Sequence, residues 1–344
     1  MMTVGRFFED FNIGEKITHA TPRTITEGDA AFYIALYGSR FPQYSAHQPA
    51  QLLGLEKMPI DPMLVFHVAF GKTVPDVSLN AVANLGYADV RFITPVYAGD
   101  TLFVESEVIG LKENSSGKTG IVYVHSTARN QSNRIAVSWK RWVMVHKRDI
   151  SRATGHNTVP ELPSQLEASE LPVPSHFKAS RDWHRYSGSK KYAADYKVGE
   201  IISHGGGITI GDSDHMLATR LYQNNARVHF DGAHMAGKRL VYGGHIMSLC
   251  QAMSFNGLEN ALWIAGFNGG THANPSYAND TIYSASVVLD NQHLPGNINA
   301  LRIVTFGSKK ELAGCDLDDL ADLSLAQKLP EHIVLRWDYW VLMA

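Results

Sequence analysis

A chain of 344 residues, 44% hydrophobic and 19% charged, has ordinary globular composition, and its length suits about two domains. Formal net charge is −2 and the basic residues are scattered, which argues against a nucleic-acid-binding surface. The two cysteines, Cys250 and Cys315, imply no disulfide framework, no stretch approaches a membrane span, and the opening MMTVGRFFEDF lacks a signal-peptide core, so a soluble cytoplasmic protein is expected.

In chain order the elements come twice. FEDFNIGEKITHATPRTITEGDAAFYIALYG near the start is echoed by YAADYKVGEIISHGGGITIGDSDHMLATRLYQ after the midpoint. At a constant offset Phe7 meets Tyr192, His19 meets His204 and Tyr37 meets Tyr222. Within the first copy, Thr26 followed by Asp29 is a capping-box pattern, and Ala30, Tyr33, Ile34 and Tyr37 recur at helical spacing. A longer apolar helix follows in each copy, over DPMLVFHVAFGKTV and LVYGGHIMSLCQAMSF. In the second, Ile246, Leu249, Cys250 and Met253 form a stripe within apolar surroundings, predicting a helix buried on most sides with a buried Cys250 thiol. Strands come next. Leu102, Val104, Ser106 and Val108 alternate with Phe103, Glu105, Glu107 and Ile109. PVYAGDTLFVESEVI is echoed by PSYANDTIYSASVVL, and SWKRWVMV by RWDYWVLM. Helices first and strands afterwards predict α+β, an antiparallel sheet packed on a central helix, built twice as an internal pseudo-dimer. The expected division is residues 1–150, a Pro-rich polar linker over 151–180, and residues 181–344.

This duplicated pattern resembles the double hot-dog fold of MaoC-like (R)-specific enoyl-CoA hydratases. PIDPMLVFHVAFGKTVPDVSLNAVANLGYADVRF, LYQNNARVHFD and RLVYGGH resemble the mesaconyl-CoA hydratases, also called β-methylmalyl-CoA dehydratases. The resemblance implies reversible addition of water to mesaconyl-CoA, giving β-methylmalyl-CoA. It implies no cofactor beyond the CoA of the substrate and no metal. Sheet edges and the resemblance together favour a homodimer.

The hydratase motif S-G-D-x-N-P-[IL]-H holds a water between its Asp and His. On it fall Asn224 and His229 in the second half, but Ser39 and Tyr44 in the first. The resemblance therefore places catalysis in the second half and leaves the first silent. Asn224 can orient a water but cannot take its proton, so the base role falls to His229. Asp231 could fix the imidazole tautomer, and Asp214 and His215 are further polar candidates. The family's H-G pair at the helix start corresponds to Gly243-Gly244; the Gly244 amide is the expected oxyanion donor, with Tyr242 and Gly243 beside the substrate. Two glycines also permit close helix packing. His67-Val68 is taken as the first-half equivalent, with His67 either in the core or facing the cleft. The free carboxylate of a mesaconyl group needs a cation, for which Arg227, Arg40 and Lys72 are the candidates.

Three rivals remain at this point. A generic (R)-specific enoyl-CoA hydratase would not depend on that cation. A hot-dog acyl-CoA thioesterase would release free thiol. A non-catalytic acyl-CoA-binding protein would fit the missing Asp. Gly71-Lys72-Thr73 lacks the first glycine of a phosphate loop, and Gly205-Gly206-Gly207 lacks a dinucleotide frame. Asp212, Asp214, His215, His229, Asp231 and His234 show no zinc-type spacing.

Overall fold

The computed structural model describes residues 5–180, 182–234, 237–312 and 328–344. Four helices and eight long strands carry the architecture. The helices are α1 (Glu27–Tyr37), α2 (Pro62–Thr73), α3 (Asp212–Leu221) and α4 (Gly243–Met253). The strands are β1 (Ala81–Phe92), β2 (Thr101–Glu113), β3 (Thr119–Arg129), β4 (Ile135–His146), β5 (Ala261–Thr271), β6 (Thr281–Leu294), β7 (Ile298–Ser308) and β8 (Ile333–Met343).

Local rules account for the boundaries. The Thr26 side chain accepts from the Asp29 amide while the Asp29 carboxylate accepts from the Thr26 amide, so α1 starts where the capping box placed it. Gly38, at φ 63°, ends it. Asp61 caps α2 by accepting from Met63, and Pro62 occupies the first helical position, where no amide hydrogen is needed. Every residue of α2 is buried. Helix α4 begins at Gly243 rather than Leu240, because Tyr242, at ψ 129°, is extended and the Leu240 and Val241 amides tie the preceding residues to Val228 and Ser276. Pro62-Met63 is thus the first-half counterpart of Gly243-Gly244, and His67 sits in mid-helix, not at its start. The stripe on α4 is buried as expected, and burial pushes the Cys250 thiol up to about 12. Cys315 lies outside the described residues.

The strands form one antiparallel sheet in the order β2-β3-β4-β1-β5-β8-β7-β6. The segments Lys16–Thr18 and Ile201–Ser203 pair outside β2 and β6. Each block of four strands covers its own central helix, and the blocks join through β1 and β5, where Phe267 pairs with Val90 and Gly266 with Arg91. A Cβ on Gly266 would lie 2.3 Å from the Val90 carbonyl oxygen, so the seam needs glycine there. In β2 the predicted alternation holds: Leu102, Val104, Ser106 and Val108 are buried, and Phe103, Glu105 and Glu107 exposed.

The repeat extends to hydrogen bonds. His19 donates its amide to Val104, and His204 donates its amide to Ser284. Asp100 and Asp280 each accept from the tyrosine amide three residues back, Tyr97 and Tyr277, closing the same turn. The left-handed position of that turn is Gly99 in one copy and Asn279 in the other, two residue types that tolerate it. Tyr37 and Tyr222 meet hydroxyl to hydroxyl at 2.7 Å, as expected for equivalent residues beside an internal pseudo-twofold axis. The stretch between the copies is anchored: the Leu166 amide donates to Asn268, and the Leu166 carbonyl accepts from Trp340. Among the described residues no helix is long and apolar enough to cross a membrane.

Candidate active site

The start of α4, the loop after α3 and the strands β1 and β4 of the other half enclose a cavity of about 270 Å3. The second half contributes Asn224, His229, Tyr242, Gly243 and His272; the first contributes Phe70, Tyr87 and Arg141.

His229 ends a single 3-10 turn, Arg227–His229. Its Nδ1 lies 3.0 Å from the Leu240 carbonyl oxygen. A carbonyl only accepts, so Nδ1 carries the proton and the Nε2 lone pair is left without a protein partner on a ring that lines the cavity. Tyr242 packs edge-on against the ring at 5.4 Å. Burial pushes the imidazole down to about 4, so it is neutral at physiological pH. Asp231 does not fix this tautomer: its carboxylate instead accepts from the His234 amide, and the Leu240 carbonyl has the role expected of it.

Asn224 is buried and lines the cavity wall. Gln223, at φ 52°, turns the chain out of α3 toward it. The Asn224 Oδ1 accepts from the Ala226 amide at 3.1 Å, which leaves the amide NH2 to meet a water. At the head of α4, Tyr242 is the cap residue but makes no side-chain cap bond, so the first amides of the helix have no cap acceptor. Gly243 lines the cavity. A Cβ on Gly243 would lie 2.4 Å from the His272 ring, and one on Gly244 would lie 2.3 Å from the Tyr242 ring and 2.6 Å from His67. Close packing therefore requires both glycines, whatever their amides do. His67 is core: fully buried, with Nδ1 3.4 Å from the Tyr242 hydroxyl.

The three cations expected to meet the carboxylate do not line this cavity. Arg227 is exposed and does not line the cavity. Arg40 is bonded to Asn256 and lies over the Phe255 ring at 4.5 Å. Lys72 binds Thr21 and Gln223 in a neighbouring, more open cavity of about 650 Å3 that shares Asn224 and also contains Arg220. Asp214 holds the Gly211 amide at the start of α3, and neither it nor His215 reaches the cavity.

Sequence reasoning missed three residues here. Tyr87 bonds His272 Nε2 at 2.9 Å, and Arg141 lies on β4 opposite Tyr87 on β1. Tyr87 sits in β1 and His272 just past the end of β5, and neither carries a motif. Arg141 had a signal: in the echoed closing strands it aligns with Tyr339, a polar difference between the copies.

The equivalent place in the other half is filled. Tyr44, Gln251 and Tyr339 stand where His229, Phe70 and Arg141 stand in the open cavity, and with Trp263 they leave about 20 Å3. The Tyr44 hydroxyl is buried there.

Burial pushes His67 and His245 down to about 3 and His204 and His272 to about 4, alongside His229. Their folded values lie below the ordinary unfolded value near 6.5, so the unfolded chain binds the extra protons as pH falls. Stability is full above that unfolded value and is lost as pH falls through the folded ones. Each group contributes a slope of up to about 1.4 kcal/mol per pH unit in that window. We expect the melting temperature to be flat above pH ~7 and to fall steeply from pH ~6 to ~4. A flat scan across that window would contradict neutral burial of these histidines.

A double hot-dog with a neutral histidine and an uncapped helix start on a cavity between its halves is of the MaoC-like hydratase and dehydratase class. A family model described as mesaconyl-CoA hydratase matches residues 2–309, and the chain belongs to that family. It is 51% identical to a β-methylmalyl-CoA dehydratase of Chloroflexus aurantiacus, over 98% of this chain and 97% of that one. It is 46% identical to a mesaconyl-CoA hydratase of Cereibacter sphaeroides, over 98% of each. Among solved structures, a putative MaoC domain protein dehydratase from Chloroflexus aurantiacus matches with a TM-score of 0.93 and 50% identity, over 99% of this chain and 98% of that one. A Mycobacterium tuberculosis protein with a double hotdog fold matches with a TM-score of 0.78 at 24% identity and shares the fold.

Proposed function

We propose that this protein catalyses the reversible hydration of mesaconyl-CoA to β-methylmalyl-CoA in the cytoplasm, with no cofactor beyond the CoA of its substrate. One observation carries the mechanism: a neutral His229, its tautomer held by Leu240, presents a free Nε2 in a cavity that Asn224 and the start of α4 also border. Asn224 donates to a water and orients it. His229 Nε2 takes one proton as the water oxygen bonds to Cβ, and the π electrons move to the thioester oxygen as an enolate. Amides at the start of α4, Gly243 bordering the cavity and Gly244 next to it, stabilise that charge. The imidazolium then returns its proton to Cα, which makes the addition syn. The anionic part of CoA lies toward the open cavity with Lys72 and Arg220. Residues 1–150 and 181–344 act as two repeats joined by 151–180, with the first catalytically silent. Two such chains pairing through their remaining surfaces would make the homodimer.

Purified protein with mesaconyl-CoA and, separately, crotonyl-CoA tests the reading. Loss of enoyl-thioester absorbance without free thiol, much faster with mesaconyl-CoA, is the expected result. Thiol release would make the protein a thioesterase. Equal rates would make it a generic enoyl-CoA hydratase, and no turnover an acyl-CoA-binding protein. In kcat/KM the acid limb should follow His229, with activity held down to about pH 5 and lost near 4. An acid limb near the ordinary histidine value of about 6.5 would remove His229 as the base.

A further inference from the structure

Arg141 is almost fully buried, at 1% exposure, and lines the same cavity as His229. Thr73 Oγ1 accepts from its Nη2 at 2.8 Å, and the Phe70 ring lies under the guanidinium at 4.3 Å. These contacts fix its direction. Its Nε and Nη1 have no partner. No Asp or Glu lines the cavity among the described residues, so the buried cation faces no counter-charge. Desolvation of that kind is expensive, and it pushes the guanidinium down to about 10. A fold optimised only for stability would not keep such a group, because the aligned position in the other half holds Tyr339, bonded to Thr305. An unpaired buried cation in a ligand cavity marks the place of an anion.

We propose that Arg141 binds the free carboxylate of the substrate and so determines its preference for dicarboxylic enoyl-thioesters. This rests on the hydratase reading given above. In mesaconyl-CoA that carboxylate is attached to Cβ, the carbon that water attacks. Pairing it with Arg141 brings Cβ into the cavity shared with His229 and Asn224. It also neutralises a negative charge that would repel the electron pair of the incoming oxygen. The two halves then contribute different parts of one site: proton transfer from the second, recognition of the carboxylate from the first.

The test compares wild type, Arg141→Met and Arg141→Lys on mesaconyl-CoA and on crotonyl-CoA, with thermal unfolding of each. The ratio of kcat/KM for the two substrates should fall by about a hundredfold in Arg141→Met, the size of one lost charge-assisted contact. Arg141→Lys should recover part of it, since it keeps the charge but not the planar fork. The melting temperature of Arg141→Met should equal or exceed that of wild type, because an unpaired buried charge is gone. A ratio unchanged in both variants overturns the assignment, and so does an equal loss on both substrates with a lower melting temperature. Should Arg141→Met fail to fold, the ratio in Arg141→Lys decides alone. A wild type that hydrates crotonyl-CoA and not mesaconyl-CoA would sink the functional reading itself. Failure of Arg141 alone would leave wild-type turnover of mesaconyl-CoA intact.

Discussion

His229→Ala should lower kcat/KM for mesaconyl-CoA by about a thousandfold, the usual worth of a positioned acid–base group. Two features make the effect large. The ring has one free nitrogen, in the right protonation state, on the cavity; the cavity's other histidine, His272, has Nε2 held by Tyr87 and an Nδ1 that is unpartnered but shut away from solvent. And Asn224, unlike the family's Asp, cannot take over the proton. Folding should survive, because the ring's one protein hydrogen bond goes to the Leu240 carbonyl at a site open to water. His229→Gln should be as inactive as His229→Ala, since an amide restores a donor but no base. The measurement is kcat/KM with thermal unfolding as control. A folded His229→Ala enzyme within about tenfold of wild type, far short of an acid–base loss, would falsify the proton-transfer role. Asp231→Asn should leave activity near wild type, because Asp231 does not touch the imidazole.

Gly71→Ala should disturb stability and activity together. Gly71 lies on α2 against the loop that carries Asn224. A Cβ there would lie 2.0 Å from the Tyr222 carbonyl oxygen and 3.3 Å from the Asn224 amide nitrogen. Alanine in a helix gains about 1 kcal/mol over glycine. Overpacking against backbone costs about 1–3 kcal/mol and more where nothing can rotate away, so the clash wins. The neighbour here is main chain, so relief requires the 222–224 loop to move, taking the water-orienting Asn224 with it. We expect a lower melting temperature and a fall in kcat of about tenfold or more, as displacement of a positioning group implies. Gly206→Ala is the matched control: nothing lies within 4 Å of its Cβ, and both readouts should be unchanged. A Gly71→Ala protein as stable and active as wild type would show that the loop is free to shift.

The main features of the fold were legible in the chain because their causes are local. The cap at Thr26 and the two-residue period of β2 depend on residues a few positions apart. The duplication needed only that such local patterns recur in order. LVY is apolar enough to continue the helical pattern of α4 at its front; the extended backbone of Tyr242 ends it there.

Within the site, the sequence by itself determined that His229 falls on the motif histidine, that Asn224 stands in place of the motif Asp, and that the first half has Ser39 and Tyr44 at those positions. Only the tertiary structure decided what those residues face. Asp231 is two positions from His229 yet bonds His234, while Leu240, eleven positions on, holds the imidazole. Arg227, Arg40 and Lys72 were credible cations by position along the chain. Arg141 lines the cavity because the pairing of β4 with β1 brings it there, and the seam between β1 and β5 sets that wall against α4 of the other half. Spacing along a chain reports which side chains share a face of one element. Which faces close around a buried charge depends on packing between elements far apart in sequence, and that is where the specificity of this protein lies.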